Sequence, residues 1–116
     1  LLGWALAPLA FLMGVPWQDA PEVGALLGMK TVLNEFVAYQ DLSVLMREGR
    51  IGPRSAVIAS YALCGFANFG SLAILIGGIT GIAPARRHDV AALGLRSILS
   101  GSLASFMTAC VAGLFL

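Results

Sequence analysis

Residues 55–84 form a long uncharged stretch, thirty positions without an Asp, Glu, Lys or Arg. A membrane crossing takes about 20 predominantly apolar residues, so this stretch has length to spare. Near its middle lies a polar patch with two glycines, GFANFGS at positions 65–71. Glycine weakens helix propagation, and Asn or Ser side chains can satisfy freed backbone groups or bind a ligand. The pattern predicts a transmembrane helix broken at the patch, and the alternative is one unbroken span in which Asn68 and Ser71 bind a neighbouring helix.

Residues 19–54 follow a different pattern, because charged and polar residues interrupt short apolar stretches. One helix fits over about 21–31 and another over about 35–47. At about 1.5 Å per residue, each is too short to cross a hydrocarbon core of about 30 Å. Two such helices in succession predict a re-entrant hairpin with its tip near residues 30–35. The alternative is an amphipathic pair on the surface, outside the membrane.

Both ends of the chain are apolar. Residues 1–17 are too few to span a membrane comfortably and look like the last part of a helix that starts upstream. From residue 89 a single helix can run to the end, with an uncharged stretch of spanning length over residues 97–116. Small residues recur at every fourth position of this helix and mark a face for close contact: Ser97, Gly101, Ser105, Ala109 and Gly113. Gly77 and Gly81 form a G-x-x-x-G pair that would let another helix approach.

Composition limits the functional class. The chain is 59% hydrophobic and 11% charged, with a mean hydropathy of +0.89, whereas soluble domains carry about a quarter charged residues. This composition predicts an all-α integral membrane protein in a lipid bilayer. A net charge of +1 beside such long apolar runs gives no support for nucleic-acid binding. The sequence contains one His, no Ser-His-Asp set, no metal-ligand cluster and no phosphate loop, so we predict no enzyme, no catalytic residue and no metal site.

Glu35 is the residue most expensive to place if the hairpin enters the membrane, because ionisable groups at depth usually face a pathway or a partner. Polar and aromatic residues near the predicted tip and break could share a site with it: Asn34, Asn68 and Ser71, and Phe36, Phe66 and Phe69. Such a set suits a neutral, hydroxyl-bearing ring compound better than a simple ion, because hydrogen bonds orient the ring and aromatic groups cover its apolar face. The alternative is that Lys30 neutralises Glu35, which would make this pair structural.

Four motifs carry a family resemblance: GMK at 28–30, NEFVAY at 34–39, YALCGFAN at 61–68, and Pro84 followed by two arginines at 86–87. In sequence and order they closely resemble the C-terminal part of the concentrative nucleoside transporters, over nearly the whole chain. The resemblance implies a sodium- or proton-coupled nucleoside symporter, usually a homotrimer, in the plasma membrane or the inner membrane of a bacterium. It also implies a multi-pass protein whose mobile transport domain carries substrate by an elevator-type movement against a scaffold.

The resemblance also implies how the chain is divided. Residues 1–17 resemble the end of a scaffold helix, and residues 18–116 resemble the C-terminal half of the transport domain. Within that half, residues 19–50 correspond to the second re-entrant hairpin, 54–82 to a discontinuous transmembrane helix and 88–116 to the last helix. The family's topology places the loop at 86–87 in the cytoplasm and the chain end outside.

Four site residues follow from the same resemblance. Glu35 matches the hairpin carboxylate that binds the ribose hydroxyls, Asn68 and Ser71 match residues that hydrogen-bond the sugar, and Phe66 matches the aromatic contact beside it. In the family, the elements that recognise the base and hold the coupling sodium lie upstream of this segment. We therefore expect no cofactor or ion ligand here, and a coupling sodium or proton in the full-length protein.

A second class of function stays open beside the transporter. The chain could be a non-transporting helical module that assembles a membrane complex through its small-residue faces. In that case Glu35 and Asn68 would be interhelical contacts. Their replacement would then lower stability with no substrate-specific effect.

Overall fold

A computed structural model describes residues 1–116 as an assembly of helices without strands. The six α-helices are α1 (Leu2–Leu12), α2 (Ala20–Val32), α3 (Glu35–Arg47), α4 (Pro53–Leu63), α5 (Phe69–Ile82) and α6 (Arg87–Leu114), with a 3₁₀ turn at Pro84–Arg86. By length and composition, one helical segment is able to cross a membrane alone, Pro84–Leu114, while α1 and α5 are shorter apolar helices. The prediction of an all-α fold is confirmed.

Helices α2 and α3 form the expected hairpin, joined by two residues. Pro21 stands in the first turn of α2, where its missing N–H is not needed. Asn34 starts α3 from extended backbone, and its Oδ1 accepts a hydrogen bond from the Val37 amide at 3.0 Å. Each helix has 13 residues, about 20 Å at the α-helical rise. The predicted bounds of both helices are therefore confirmed to within a residue.

The base of the hairpin is joined by an exposed ion pair. Arg50, which follows α3, donates hydrogen bonds to Glu22 in the first turn of α2 and to Glu48. These hydrogen bonds raise the pKa of Arg50 above its usual value. The pair lies at the surface, where such contacts contribute little to stability. The hairpin is therefore held mainly by packing.

The long uncharged stretch is a broken helix. Helix α4 ends at Leu63 and α5 begins at Phe69, with Asn68 in extended backbone between them. A Cβ at Gly65 would collide with the Ser105 hydroxyl of α6, so the chain passes close to α6 at this glycine. The predicted break is confirmed, and the alternative of an unbroken span is wrong.

The small-residue face of α6 packs as predicted. A Cβ at Gly101 would lie 3.2 Å from Cβ of Ala67, and one at Gly113 would lie 2.9 Å from the Met13 carbonyl oxygen. Ala109 on the same face is fully buried. In contrast, the G-x-x-x-G pair in α5, Gly77 and Gly81, has no neighbour in this chain. A Cβ at either glycine would have no other atom of this chain within 4 Å. Close approach of a helix to that face stays a prediction.

One apolar core runs through α1, α2, α3, α4 and α6, whereas α5 contributes no buried residue. Within this core, α1 packs closely on α2. A Cβ at Gly24 would lie 2.9 Å from the backbone nitrogen of Ala7 and 3.0 Å from the carbonyl carbon of Leu6. The two helices thus meet backbone to backbone, and glycine is required at this crossing.

Arg54, in the first turn of α4, ties three segments together at one end of the molecule. Its Nε donates to the Gly14 carbonyl at 3.1 Å, and its Nη2 donates to the Gly113 carbonyl at 2.9 Å. Beside it the buried Asp19 accepts hydrogen bonds from the Gly52 amide at 3.0 Å and from the Ser55 hydroxyl. The ends of α1 and α6 and the start of α4 are therefore fixed by side chains that satisfy helix-terminal groups.

Replacement of Arg54 by methionine should destabilise the protein. Hydrogen bonds to charged groups contribute about 1.5–3 kcal/mol each. The change removes the donor of three carbonyls, those of Gly14, Gly113 and the exposed Leu116, so we expect a loss of about 3 kcal/mol or more. Thermal unfolding of the purified protein in detergent measures the effect. Arg47→Met is the control, because Arg47 is exposed and donates only to Ser43 of its own helix. Equal losses in the two variants would contradict the role of Arg54.

Candidate substrate site

The tip of the hairpin and the break in the long helix meet at two capped helix starts. Asn68 caps α5, and its Oδ1 accepts a hydrogen bond from the Ser71 amide at 2.7 Å. The other end of the same amide, Nδ2, donates to Oε2 of Glu35 at 2.8 Å. Glu35 is the first residue of α3, where the positive end of the helix dipole favours a carboxylate. The buried Asn68 side chain therefore joins the hairpin to the broken helix.

A cavity of about 510 Å³ opens beside this pair. Its walls are largely apolar, with a few polar groups: Phe66, Ala67, Asn68, Ser71, Leu72, Ile74, Leu75, Ser97, Ile98 and Gly101. Phe66 projects from the break and is 76% exposed. The volume falls in the range of small-molecule sites, about 300–1,000 Å³.

The structure brings the four predicted site residues together. Phe66, Asn68 and Ser71 line the cavity, and Glu35 is hydrogen-bonded to one of them. Neither Glu35 nor Lys30 belongs to an ion pair. Lys30 therefore makes no direct ion pair with Glu35, although the charge of Glu35 still acts on Lys30 at longer range. The direct contacts of the Glu35 carboxylate are the Asn68 amide and the start of α3. Substrate binding by these four residues stays a prediction.

Two residues satisfy carbonyl groups at the open end of α4, a role that the sequence analysis did not assign to them. Lys30, in α2, is buried, and its Nζ donates to the Ala62 carbonyl at 3.3 Å. The Tyr39 hydroxyl, in α3, donates to the Ser60 carbonyl at 2.7 Å. Both carbonyls lie in the last turn of α4, where a helix leaves its carbonyl groups without intrahelical partners. The predicted break could have indicated such donors, because a helix that ends inside a membrane needs hydrogen-bond donors for its last carbonyl groups.

A short hairpin whose tip meets a broken transmembrane helix, with a cavity beside the helix ends, is the architecture of a secondary membrane transporter. Residues 1–113 match a family model described as the C-terminus of the Na⁺-dependent nucleoside transporters. The chain belongs to this family, the concentrative nucleoside transporters. Its relatives are transporters, so the prediction that the chain is not an enzyme is confirmed.

Individual relatives agree with this assignment. The chain is 48% identical over 116 residues to the uncharacterized transporter YutK of Bacillus subtilis. The alignment covers 100% of this chain and 28% of that protein. It is 45% identical to the putative nucleoside permease NupX of Escherichia coli, again over 28% of the relative. It is 48% identical to solute carrier family 28 member 3 of Mus musculus, over 98% of this chain and 18% of that protein. The chain thus spans less than a third of the curated relatives it matches.

Solved structures extend the match to the fold. The structure of CNTnw in an inward-facing, substrate-bound state superposes with a TM-score of 0.93 at 47% identity, covering 98% of this chain and 28% of that one. A CNTnw variant in an outward-facing state superposes with a TM-score of 0.91 at 46% identity, over the same shares. The predicted fold of an elevator-type transporter, with its re-entrant hairpin, broken helix and last helix, is confirmed.

Proposed function

We propose that this chain is the ribose-binding portion of an ion-coupled nucleoside symporter. The observation that carries the proposal is the hydrogen bond between Glu35 and Asn68 at the edge of the cavity. A carboxylate only accepts hydrogen bonds, so it selects ligand groups that donate them. Oε1 of Glu35 has no hydrogen-bond partner within the chain, which leaves it free to accept from a sugar hydroxyl.

The neighbouring groups suit the rest of a ribose. The Asn68 amide is held at both ends, and the half-buried Ser71 adds a hydroxyl that can donate and accept. The exposed ring of Phe66 can cover the apolar face of the sugar. A neutral polyhydroxylated ring therefore fits this cavity better than a bare ion.

Similarity to two transport states supports an elevator-type movement. This chain superposes almost equally well on inward-facing and outward-facing CNTnw, with TM-scores of 0.93 and 0.91. An internal arrangement that changes little between the two states is expected if most of the segment moves as one body, as proposed below for residues 18–116. We further propose a sodium- or proton-coupled homotrimer with several membrane passes, in the plasma membrane or in the inner membrane of a bacterium.

The division of the chain at residue 17 also remains a proposal. In it, residues 1–17 end a scaffold helix and residues 18–116 belong to the moving domain. The close approach of Gly3 in α1 to the Ala25 side chain in α2 allows a test. A Cβ at Gly3 would also lie 2.7 Å from the Pro21 carbonyl oxygen, so transport by the reduced cysteine pair is the control for folding. Oxidation of the pair would then stop transport if α1 stays with the scaffold, and would leave transport intact if the two helices move together.

Uptake of uridine by proteoliposomes tests the function. The complete transporter should accumulate uridine under an inward sodium gradient, and a gradient of choline should not replace sodium. Uptake driven only by a proton gradient would support a nucleoside symporter whose coupling ion is the proton. If folded protein takes up no nucleoside under either gradient, the non-transporting membrane module becomes the better reading.

Sugar hydroxyls should control affinity. If Glu35 accepts from the ribose, then 2′-deoxyuridine or 3′-deoxyuridine should bind about tenfold or more weakly than uridine, because one hydrogen bond to a charged group is lost. Competition against labelled uridine gives the three affinities in one series. Equal affinities for all three nucleosides would contradict a diol contact.

A further inference from the structure

The one buried cation of this chain lies at the open end of a half-helix. Lys30 is 1% exposed, and its Nζ lies 3.3 Å from the Ala62 carbonyl oxygen. It also lies 5.7 Å from the centre of the Phe106 ring of α6. A Cβ at Gly65 would stand 3.3 Å from Nζ, so the missing side chain of Gly65 leaves room for the ammonium group.

Each of these neighbours favours a positive charge. The C-terminus of α4 carries the negative end of the helix dipole and carbonyls without intrahelical partners. The face of an aromatic ring attracts an ammonium group, most strongly when water is excluded. A buried charge without such partners would be very costly. The Lys30 ammonium group therefore lies in electronegative surroundings.

In secondary transporters, unwound carbonyls and half-helix C-termini are the groups that bind coupling cations. Here one such group is already taken by a cation from the chain itself. The neighbouring Ser60 carbonyl is taken by the Tyr39 hydroxyl. Both donors come from the hairpin, which is thereby fixed to the open end of α4.

We propose that the Lys30 ammonium group is a tethered cation that fills a monovalent-cation site at the end of α4. The break in the long helix is thus held in shape without the uptake or release of an ion. The consequence for transport rests on the proposed function: no coupling ion is taken up or released at this position. The cation site itself does not depend on that function.

The test removes the tether and offers a free cation. In the complete protein without nucleoside, Lys30→Ala empties the position, whereas Lys30→Met keeps most of the apolar stem and excludes an ion. The unfolding temperature is measured as ammonium chloride replaces choline chloride at constant ionic strength. The change in unfolding temperature of the wild type measures the effects of ammonium elsewhere in the protein and is subtracted.

We expect ammonium to raise the unfolding temperature of Lys30→Ala by about 2 °C or more over its effect on wild type and on Lys30→Met. An equal response of the three proteins would overturn the proposal. If Lys30→Ala does not fold, Lys30→Gln decides, because its amide can donate a hydrogen bond but carries no charge. Full stability of Lys30→Gln would overturn the need for a cation.

The two proposals fail separately. Uridine added to wild type in the same assay raises the unfolding temperature if the protein binds nucleosides. The absence of that shift counts against the proposed function and leaves the ammonium comparison unaffected. A uridine shift without an ammonium-specific shift in Lys30→Ala counts against the tethered cation alone.

Discussion

Glu35→Ala is expected to weaken uridine binding by about 100-fold or more and to abolish gradient-driven uptake. The variant removes the acceptor for two ribose hydroxyls, and each hydrogen bond to a carboxylate contributes about 1.5–3 kcal/mol. A loss of about 3 kcal/mol corresponds to about 100-fold in affinity. Calorimetric titration of the purified transporter measures binding, and uptake into proteoliposomes measures transport.

Two controls separate substrate recognition from folding. Glu48→Gln changes an exposed carboxylate outside the cavity that contacts only Arg50, so its uridine affinity should match that of wild type. Glu35→Gln keeps the shape and one oxygen acceptor, which preserves the contact to Asn68 while removing the charge. Normal uridine affinity in Glu35→Ala would rule out the ribose contact. Loss of stability with unchanged affinity would favour an interhelical role.

The second large effect is expected for Gly24→Ala, which should destabilise the protein by about 3 kcal/mol or more. Overpacking usually costs about 1–3 kcal/mol, and the obstacles here are backbone atoms of α1 that cannot rotate away. Alanine by itself stabilises a helix by up to about 1 kcal/mol relative to glycine, so the clash must outweigh this gain. Thermal unfolding in detergent gives the comparison with wild type.

Gly77→Ala is the matched variant, because it makes the same change inside a helix with no atom of this chain within 4 Å. Helix propensity alone should leave its stability equal to that of wild type or slightly higher. A marked loss in Gly77→Ala would reveal a helix from outside this chain on the G-x-x-x-G face. A Gly24→Ala variant as stable as wild type would contradict the close contact between α1 and α2.

Much of the fold could be predicted because its signals are local. Asn34 and Asn68 each cap the helix that follows, and glycines beside Asn68 mark the break. These features depend on a few consecutive residues and on backbone preferences. The site residues were identified through the family resemblance, and the structure adds how the Asn68 amide connects them.

The rest could not be predicted because it depends on which segments meet in space. Lys30 is close to Glu35 in sequence, which suggested an ion pair, but the two lie on different helices and Lys30 reaches the end of α4 instead. Arg54 binds carbonyls 40 and 59 positions away. Pairings at such separations are set by tertiary packing, and no local pattern in the sequence indicates them.

The two hydrogen bonds of the Asn68 side-chain amide have a consequence for the rate of substrate binding. Its amide donates to Glu35 and accepts from the start of α5, so its side-chain conformations are restricted when the domain folds and not when substrate arrives. A sugar entering the cavity would meet donors and acceptors already in position. Binding to such a preorganised surface avoids a large part of the ordering entropy, and its rate would be set by water leaving the cavity and by access from solvent.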